Sequence, residues 1–415
     1  FFGGGSSVGS RRGGVVGVEW FLRRRVWMAR LAAVAGVLAL VVGLPGCKSG
    51  FFDPSSSGSG SSSGSGSGSA SGNNVYVANA NTSLESVAAY SIGTAGALTS
   101  LTGSPSLLGT EPTTMAINPA GTLLWVGSIL GAVYVYVINS DGSLSLGNSN
   151  TAVSSVAATS MVVDPTGQWL LVLSDTGTGT APEVYVYQID PTDGVLTATG
   201  TPLALDIGSP SQIVFAPNGT EVFASLGTGG VDTMLFTPST GVLEKYSVLL
   251  EPLGANYADQ GMAVDSNSAY LFVSESGVLG VRVLSIGADG ALASVAGSPF
   301  LTNYPATSIL VDKTNSFVYV GNETSNSISA FTLASTGVLT PIAGSPFVTG
   351  TSPYSLAEDS SGTYLLSANA GGTPDLQVFT ITPSTGTTPG ALTPASSTST
   401  GSVSPAGAIS VVTTP

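Results

Sequence analysis

From residue 74 to the end, apolar and polar side chains alternate in short runs, as in Ala132-Val133-Tyr134-Val135-Tyr136-Val137 and Glu183-Val184-Tyr185-Val186-Tyr187. A period of two turns one face of each run toward a core, which predicts strands. Seven such runs end in Gly-x-Leu, beginning at Gly96, Gly142, Gly194, Gly241, Gly290, Gly337 and Gly390. Successive glycines lie 46, 52, 47, 49, 47 and 53 residues apart. Gly ahead of a new strand is hairpin chemistry, because the turn needs a positive φ.

A second turn series runs between the first. It reads Asn118-Pro119-Ala120-Gly121, Asp164-Pro165-Thr166-Gly167, Ala216-Pro217-Asn218-Gly219, Asp265-Ser266-Asn267-Ser268, Asp312-Lys313-Thr314-Asn315 and Asp359-Ser360-Ser361-Gly362. A short apolar strand precedes each of these turns and another follows it. Each unit therefore holds four strands in the order A, turn, B, loop, C, Gly turn, D. Repeated four-stranded units of this length predict an all-β chain, a seven-bladed β-propeller of antiparallel blades. An open β-solenoid is the competing architecture, but its coils are shorter and do not split into four strands. The two series differ by one turn. Residues 74–415 begin at a B strand, Asn74-Val75-Tyr76-Val77-Ala78-Asn79, and end at an A-like strand, Ala408-Ile409-Ser410-Val411-Val412. The C-terminal strand is thus expected to enter the first blade as its innermost strand and close the ring.

Composition places the rest of the chain. Residues 55–72 are Ser and Gly with one Ala, so 48–73 reads as a flexible linker. Ahead of it, basic residues around Arg23-Arg24-Arg25 precede an apolar run from Leu31 to Val42 and then Leu44-Pro45-Gly46-Cys47. Residues 1–47 therefore read as an export signal with an upstream extension. The end of the run resembles a bacterial lipobox, which implies lipidation at Cys47. The expected address is the bacterial cell envelope, with the protein tethered to a membrane by lipid, and Lys48 favours the outer membrane. An uncleaved single-span anchor over 26–44 is the other reading of the same segment.

Only 8% of the residues are charged, and none is histidine. This excludes a Ser-His-Asp triad and His-ligated zinc. One cysteine excludes a disulfide framework. Residues 74–415 hold three basic side chains (Lys245, Arg282, Lys313) and 22 acidic ones, a charge of −19, which argues against nucleic acid as a partner.

The repeats Val75-Tyr76-Val77-Ala78-Asn79 and Val318-Tyr319-Val320-Gly321-Asn322 resemble the YVTN type of propeller. Gly297-Ser298-Pro299-Phe300 and Gly344-Ser345-Pro346-Phe347 read as closing D strands. With the Gly-x-Leu turns, they resemble the lactonase-type seven-bladed propellers, the 6-phosphogluconolactonase-like family. The resemblance implies a ligand mouth built by B–C and D–A loops, and a lactonase activity that uses histidine and arginine there. This chain has no histidine, and Arg282 reads as a solvated strand position, so no catalytic residue is carried over.

The candidate rim is acidic and amide-rich: Asn79, Ser128, Asp175, Glu275, Asn322, Glu323 and Asn369 at the B–C loops, and Glu111, Asp259, Tyr304 and Tyr354 at the D–A loops. Such a rim suits a neutral glycan, a protein, or a divalent cation, although no dedicated calcium loop is present. No cofactor is otherwise expected, and the head is expected to be a monomer. The function expected from composition is a membrane-tethered, non-catalytic binding or scaffold module. The alternative is a lactonase-like hydrolase acting on a sugar lactone, with a metal as a candidate helper and without activity on a phosphorylated lactone.

Overall fold

The computed structural model describes residues 73–415 apart from 81–84, 129, 149–150, 178, 247–248, 255–256, 278, 303, 373 and 401–407. The export signal, Cys47 and the Ser/Gly linker lie outside the described residues. The described chain forms seven antiparallel sheets, the blades of a β-propeller. Among the described residues, the single-turn 3-10 segments Thr94–Gly96 and Glu323–Ser325 interrupt the strands.

The inner A strands, taken from blade 1 to blade 7, are Ala408–Thr413, Pro112–Ile117, Ser160–Val163, Gln212–Phe215, Asp259–Val264, Ala306–Val311 and Pro353–Glu358. Each lies beside the next, and Ala408–Thr413 adjoins both Pro353–Glu358 and Pro112–Ile117, so the ring is closed. The closing strand pairs antiparallel with the first B strand, Asn74–Asn79, with Tyr76 opposite Val412 and Val77 opposite Val411. Sharing one sheet between the two ends of the chain removes the free edges an open ring would leave.

The core is not a single central mass. It consists of seven apolar layers, each between two successive blades. Val75, Val77 and Tyr90 of blade 1 pack with Leu366, Leu376 and Val378 of blade 7, for instance, and Trp169 and Leu171 of blade 3 pack with Val222 and Phe236 of blade 4. The B strands are therefore covered on both faces: every residue of Leu123–Ser128, Trp169–Ser174 and Phe317–Asn322 is buried.

The two turn series do separate jobs. At the A–B turns, a buried acid gathers the backbone of its own turn. Asp312 Oδ1 accepts the N–H groups of Ser316 at 2.7 Å and Phe317 at 2.6 Å, and Asp164 and Asp265 repeat the pattern. The Gly-x-Leu turns instead receive an aromatic side chain from the preceding blade. Tyr76 donates to Gly142 O at 2.8 Å, Trp125 to Gly194 O at 3.0 Å, Trp169 to Pro238 O at 2.8 Å and Tyr319 to Gly390 O at 3.0 Å.

The outer strands depart from the sequence expectation. Gly-Ser-Pro does not close a D strand but divides it. In blade 5, Leu292–Ser294 and Phe300–Leu301 both pair with the C strand Gly280–Ile286. Ser298 Oγ in the gap accepts the N–H of Val283 at 2.9 Å, and Ser104 and Ser345 do the same for Ala89 and Ala330. The serine thus pairs a C-strand amide that the interrupted D strand leaves open.

Candidate functional site at the mouth face

The B–C and D–A connections converge on one face of the ring, opposite the A–B turns. Asn79, Ser128, Glu275, Asn322 and Asn369 turn out to be one position repeated, the last residue of the B strand. All five are buried. The sequence puts all five on an open rim; the structure places them inside the blades. The reason is satisfaction of buried polar groups. The D–A connections entering blades 1, 2, 5 and 7 reach this position and find a partner in it. Thr400 Oγ1 donates to Asn79 Oδ1 at 2.6 Å, Thr110 and Ser128 share a bond of 2.8 Å, and Thr349 Oγ1 donates to Asn369 Oδ1 at 3.4 Å. Asn322 Nδ2 donates to Ser329 Oγ at 2.9 Å.

Of the remaining predicted positions, all but the buried Asp259 reach the surface. Asp175 is exposed and accepts the Gly177 N–H at 2.9 Å, a local turn. Glu323 is half-buried and accepts from Ser352 Oγ at 3.2 Å, which joins the mouth loops of blades 6 and 7. Tyr304 and Tyr354 are exposed. Glu111 is half-buried on the connection into blade 2, where burial, and then the neighbouring charge of Glu85, push its carboxyl above the ordinary range.

Blade 5 replaces the neutral arrangement with charge. Asp259 begins its A strand opposite Glu275, the end of its B strand. Arg282 lies on the C strand, and its Nη1 is 3.6 Å from both Asp259 Oδ2 and Glu275 Oε2. Arg282 is 4% exposed and both acids are fully buried, so the solvated position expected for Arg282 is corrected. The expectation failed because Val281 and Val283 suggest one buried and one open face, whereas blade packing covers both. The Glu275 Oε1 accepts the Leu253 N–H at 2.9 Å, and Arg282 donates to Glu251 O at 3.0 Å. Both oxygens of Asp259 and Oε2 of Glu275 accept no hydrogen bond. Burial pushes Asp259 up to about 7, with Arg282 pulling it down and Glu275 pushing it further up. Burial likewise raises Glu275.

The head's other two cations are committed as well. Lys245 lies 2.6 Å from Asp206 and 3.2 Å from the buried Asp232, a cluster the sequence did not signal. Lys313 donates to Asp359 O at 3.0 Å at the A–B turns, away from the mouth. Among the described residues, no three His, Cys, Asp or Glu side chains converge as a metal site.

Residues 296–403 match the family model described as Lactonase, 7-bladed beta-propeller. That match spans two of the seven blades. In fold, the ring is similar to a candidate 6-phosphogluconolactonase from Bacteroides uniformis (TM-score 0.68, 14% identity, 82% of this chain and 99% of that one). It is also similar to a protein from Lactobacillus plantarum (TM-score 0.66, 17% identity, 82% and 99%). A third likeness is to the periplasmic gluconolactonase of Pseudomonas aeruginosa (TM-score 0.63, 17% identity, 83% and 99%). No curated protein matches the chain in sequence.

Proposed function

We propose that the propeller is a lactonase-like hydrolase that opens an uncharged sugar lactone. The observation that carries this reading is the lactonase family match over two blades of a ring whose whole architecture is of that type. The choice of an uncharged substrate follows from the cations. Lys245 and Arg282 are held by acids, and Lys313 is bound at the opposite face, so the mouth has no free cation to receive a phosphate. The head's charge also repels anions.

Ring opening adds water across the acyl C–O bond. It needs a base for the water proton and donors for the developing oxyanion. Without imidazole the base is a carboxylate, and Glu111 is the first to test, being both accessible and raised by burial. Backbone N–H groups and hydroxyls of the mouth loops are the available oxyanion donors. The composition-based reading, a non-catalytic binding module, has less support from the comparisons than the hydrolase. Export, lipidation at Cys47 and an outer-membrane address complete the proposal on the strength of the sequence alone.

The test measures opening of a neutral sugar lactone and its phosphorylated counterpart, with and without Ca²⁺, Mg²⁺, Mn²⁺ or Zn²⁺. The expected result is opening of the neutral lactone above its spontaneous rate and no opening of the phosphorylated one. Glu111→Gln is expected to lower kcat by about a hundredfold or more. Spontaneous rates for both lactones under every condition would return the protein to the binding-module reading.

A further inference from the structure

The charged trio of blade 5 departs from its own repeat. Where blade 5 has Asp259, Glu275 and Arg282, the same register positions hold Ala306, Asn322 and Ser329 in blade 6, and Pro353, Asn369 and Gln377 in blade 7. The fold therefore builds this corner without charge elsewhere. Burying two carboxylates with one guanidinium is the costlier solution, because desolvation of the ions offsets much of their attraction.

The trio's remaining contacts both reach the connection arriving from blade 4, through Leu253 N–H to Glu275 and Arg282 to Glu251 O. It is thus the clasp that holds residues 251–253 at the mouth face. As two ionised acids, the pair has one negative charge too many, and three of its oxygens accept no hydrogen bond, two of them facing Arg282 Nη1 at 3.6 Å. One added proton removes the surplus charge and supplies a missing donor.

We propose that the Asp259–Glu275–Arg282 trio is a proton-operated clasp, holding residues 251–253 to blade 5 when the two acids share a proton and loosening when both ionise. As regulation of catalysis, this rests on the hydrolase reading of the mouth face; as a structural switch, it stands without it. The ionisable groups that face Asp259 are Glu275 from the B strand and Arg282 from the C strand. Blade 4 offers the Gly227 carbonyl, which accepts the Asp259 N–H at 3.1 Å, and the Gln212 amide, which accepts the Met262 N–H at 2.6 Å. Blade 6 presents Thr307 beside Gly261. The position of Asp259 near 7 puts the switch in a physiological range.

Hydrogen exchange on the full chain tests the clasp without reference to activity. Protection of a peptide covering residues 250–254 is compared at pH 6 and pH 8.5, corrected for intrinsic exchange, against one from strand Leu123–Ser128. In the wild type it is expected to fall about tenfold relative to the control, the equivalent of one unit of proton linkage. The triple variant Asp259→Ala, Glu275→Asn, Arg282→Ser installs the blade 6 residues. It is expected to fold, because blade 6 folds with them, and to show equal protection at both pH values. Asp259→Asn alone is expected to be equally flat. A wild type without the step, or a triple variant that keeps it, overturns the clasp. Spontaneous lactone rates alongside a wild-type step sink the hydrolase and leave the clasp standing; turnover without a step does the reverse.

Discussion

At the residue scale, the same side-chain types serve as turn staples, loop ties or charge centres according to position. Asp312 is 4% exposed, yet its carboxylate is fully used by the turn it opens. Asp312→Ala leaves those N–H groups without partners and is expected to destabilise the head by about 2–4 kcal/mol. Asp312→Asn retains the acceptor oxygen, as Asn118 does in blade 2 with Thr122 and Leu123, and is expected to cost less than half of that. Chemical denaturation of both variants checks the order; equal losses would refute the carboxylate's part in the turn. These turn acids were legible in the sequence because Asp and Asn ahead of Gly or Ser carry a local signal. The B-strand ends were not. Asn79 and Asn369 look like rim amides until the D–A connections are seen crossing above them, and Asn322 until its bond to Ser329 is seen. The blade 5 trio was visible only in pieces: Asp259 and Glu275 stood among the rim acids, and Arg282 was set apart as solvated. Alignment of the seven repeats with one another is the signal that unites them, since a Glu stands where Asn or Ser stands elsewhere.

At the element scale, the Gly-x-Leu turn is where one blade is fastened to the one before it. Gly241 has φ of +71°, and a Cβ there would run into the indole of Trp169. A side chain is excluded twice, by the left-handed backbone and by the indole packed against it. Gly241→Ala is expected to cost about 2–4 kcal/mol, combining the backbone penalty with overpacking. Gly103→Ala is the comparison, because a Cβ there meets nothing within 4 Å and only its φ of +77° is strained. The difference between the two melting temperatures isolates the blade-to-blade packing; equal shifts would refute it. The strands and turns of every blade were legible because period-two alternation and Gly turns are local. The division of the D strands by Gly-Ser-Pro was not, because it depends on a serine reaching an amide of the neighbouring C strand.

At the scale of the whole molecule, the ring brings the two ends of the described chain to the A–B turn face. Asn73 donates to Asp359 Oδ2 at 2.6 Å, and Pro415 lies against Gly121. The mouth is on the opposite face of the ring. The same ring concentrates acids whose protonation is linked to folding. Asp259 and Glu358 are both raised to about 7, chiefly by burial, and Glu275, Glu111 and Asp232 are raised in the same direction. Unfolded carboxyls titrate near 4. Between about pH 4 and 7 the folded state therefore holds more protons than the unfolded one, so stability falls as pH rises through that window and levels off above it. The loss is on the order of a few kcal/mol for each of the two largest shifts. Asp359 and Asp206 act in the opposite sense, since their folded pKa values are lowered; their contribution disappears only as pH drops below the ordinary carboxylate range. The melting temperature is thus expected to peak in mildly acid solution, between about pH 4 and 6, and to decline toward pH 8. Glu358→Gln is expected to flatten part of that decline without touching the blade 5 clasp, because Glu358 sits at the A–B turns and accepts the Lys313 N–H at 2.7 Å. A melting temperature that rises from pH 5 to 8 would overturn the assignment of these buried acids as proton holders in the folded ring.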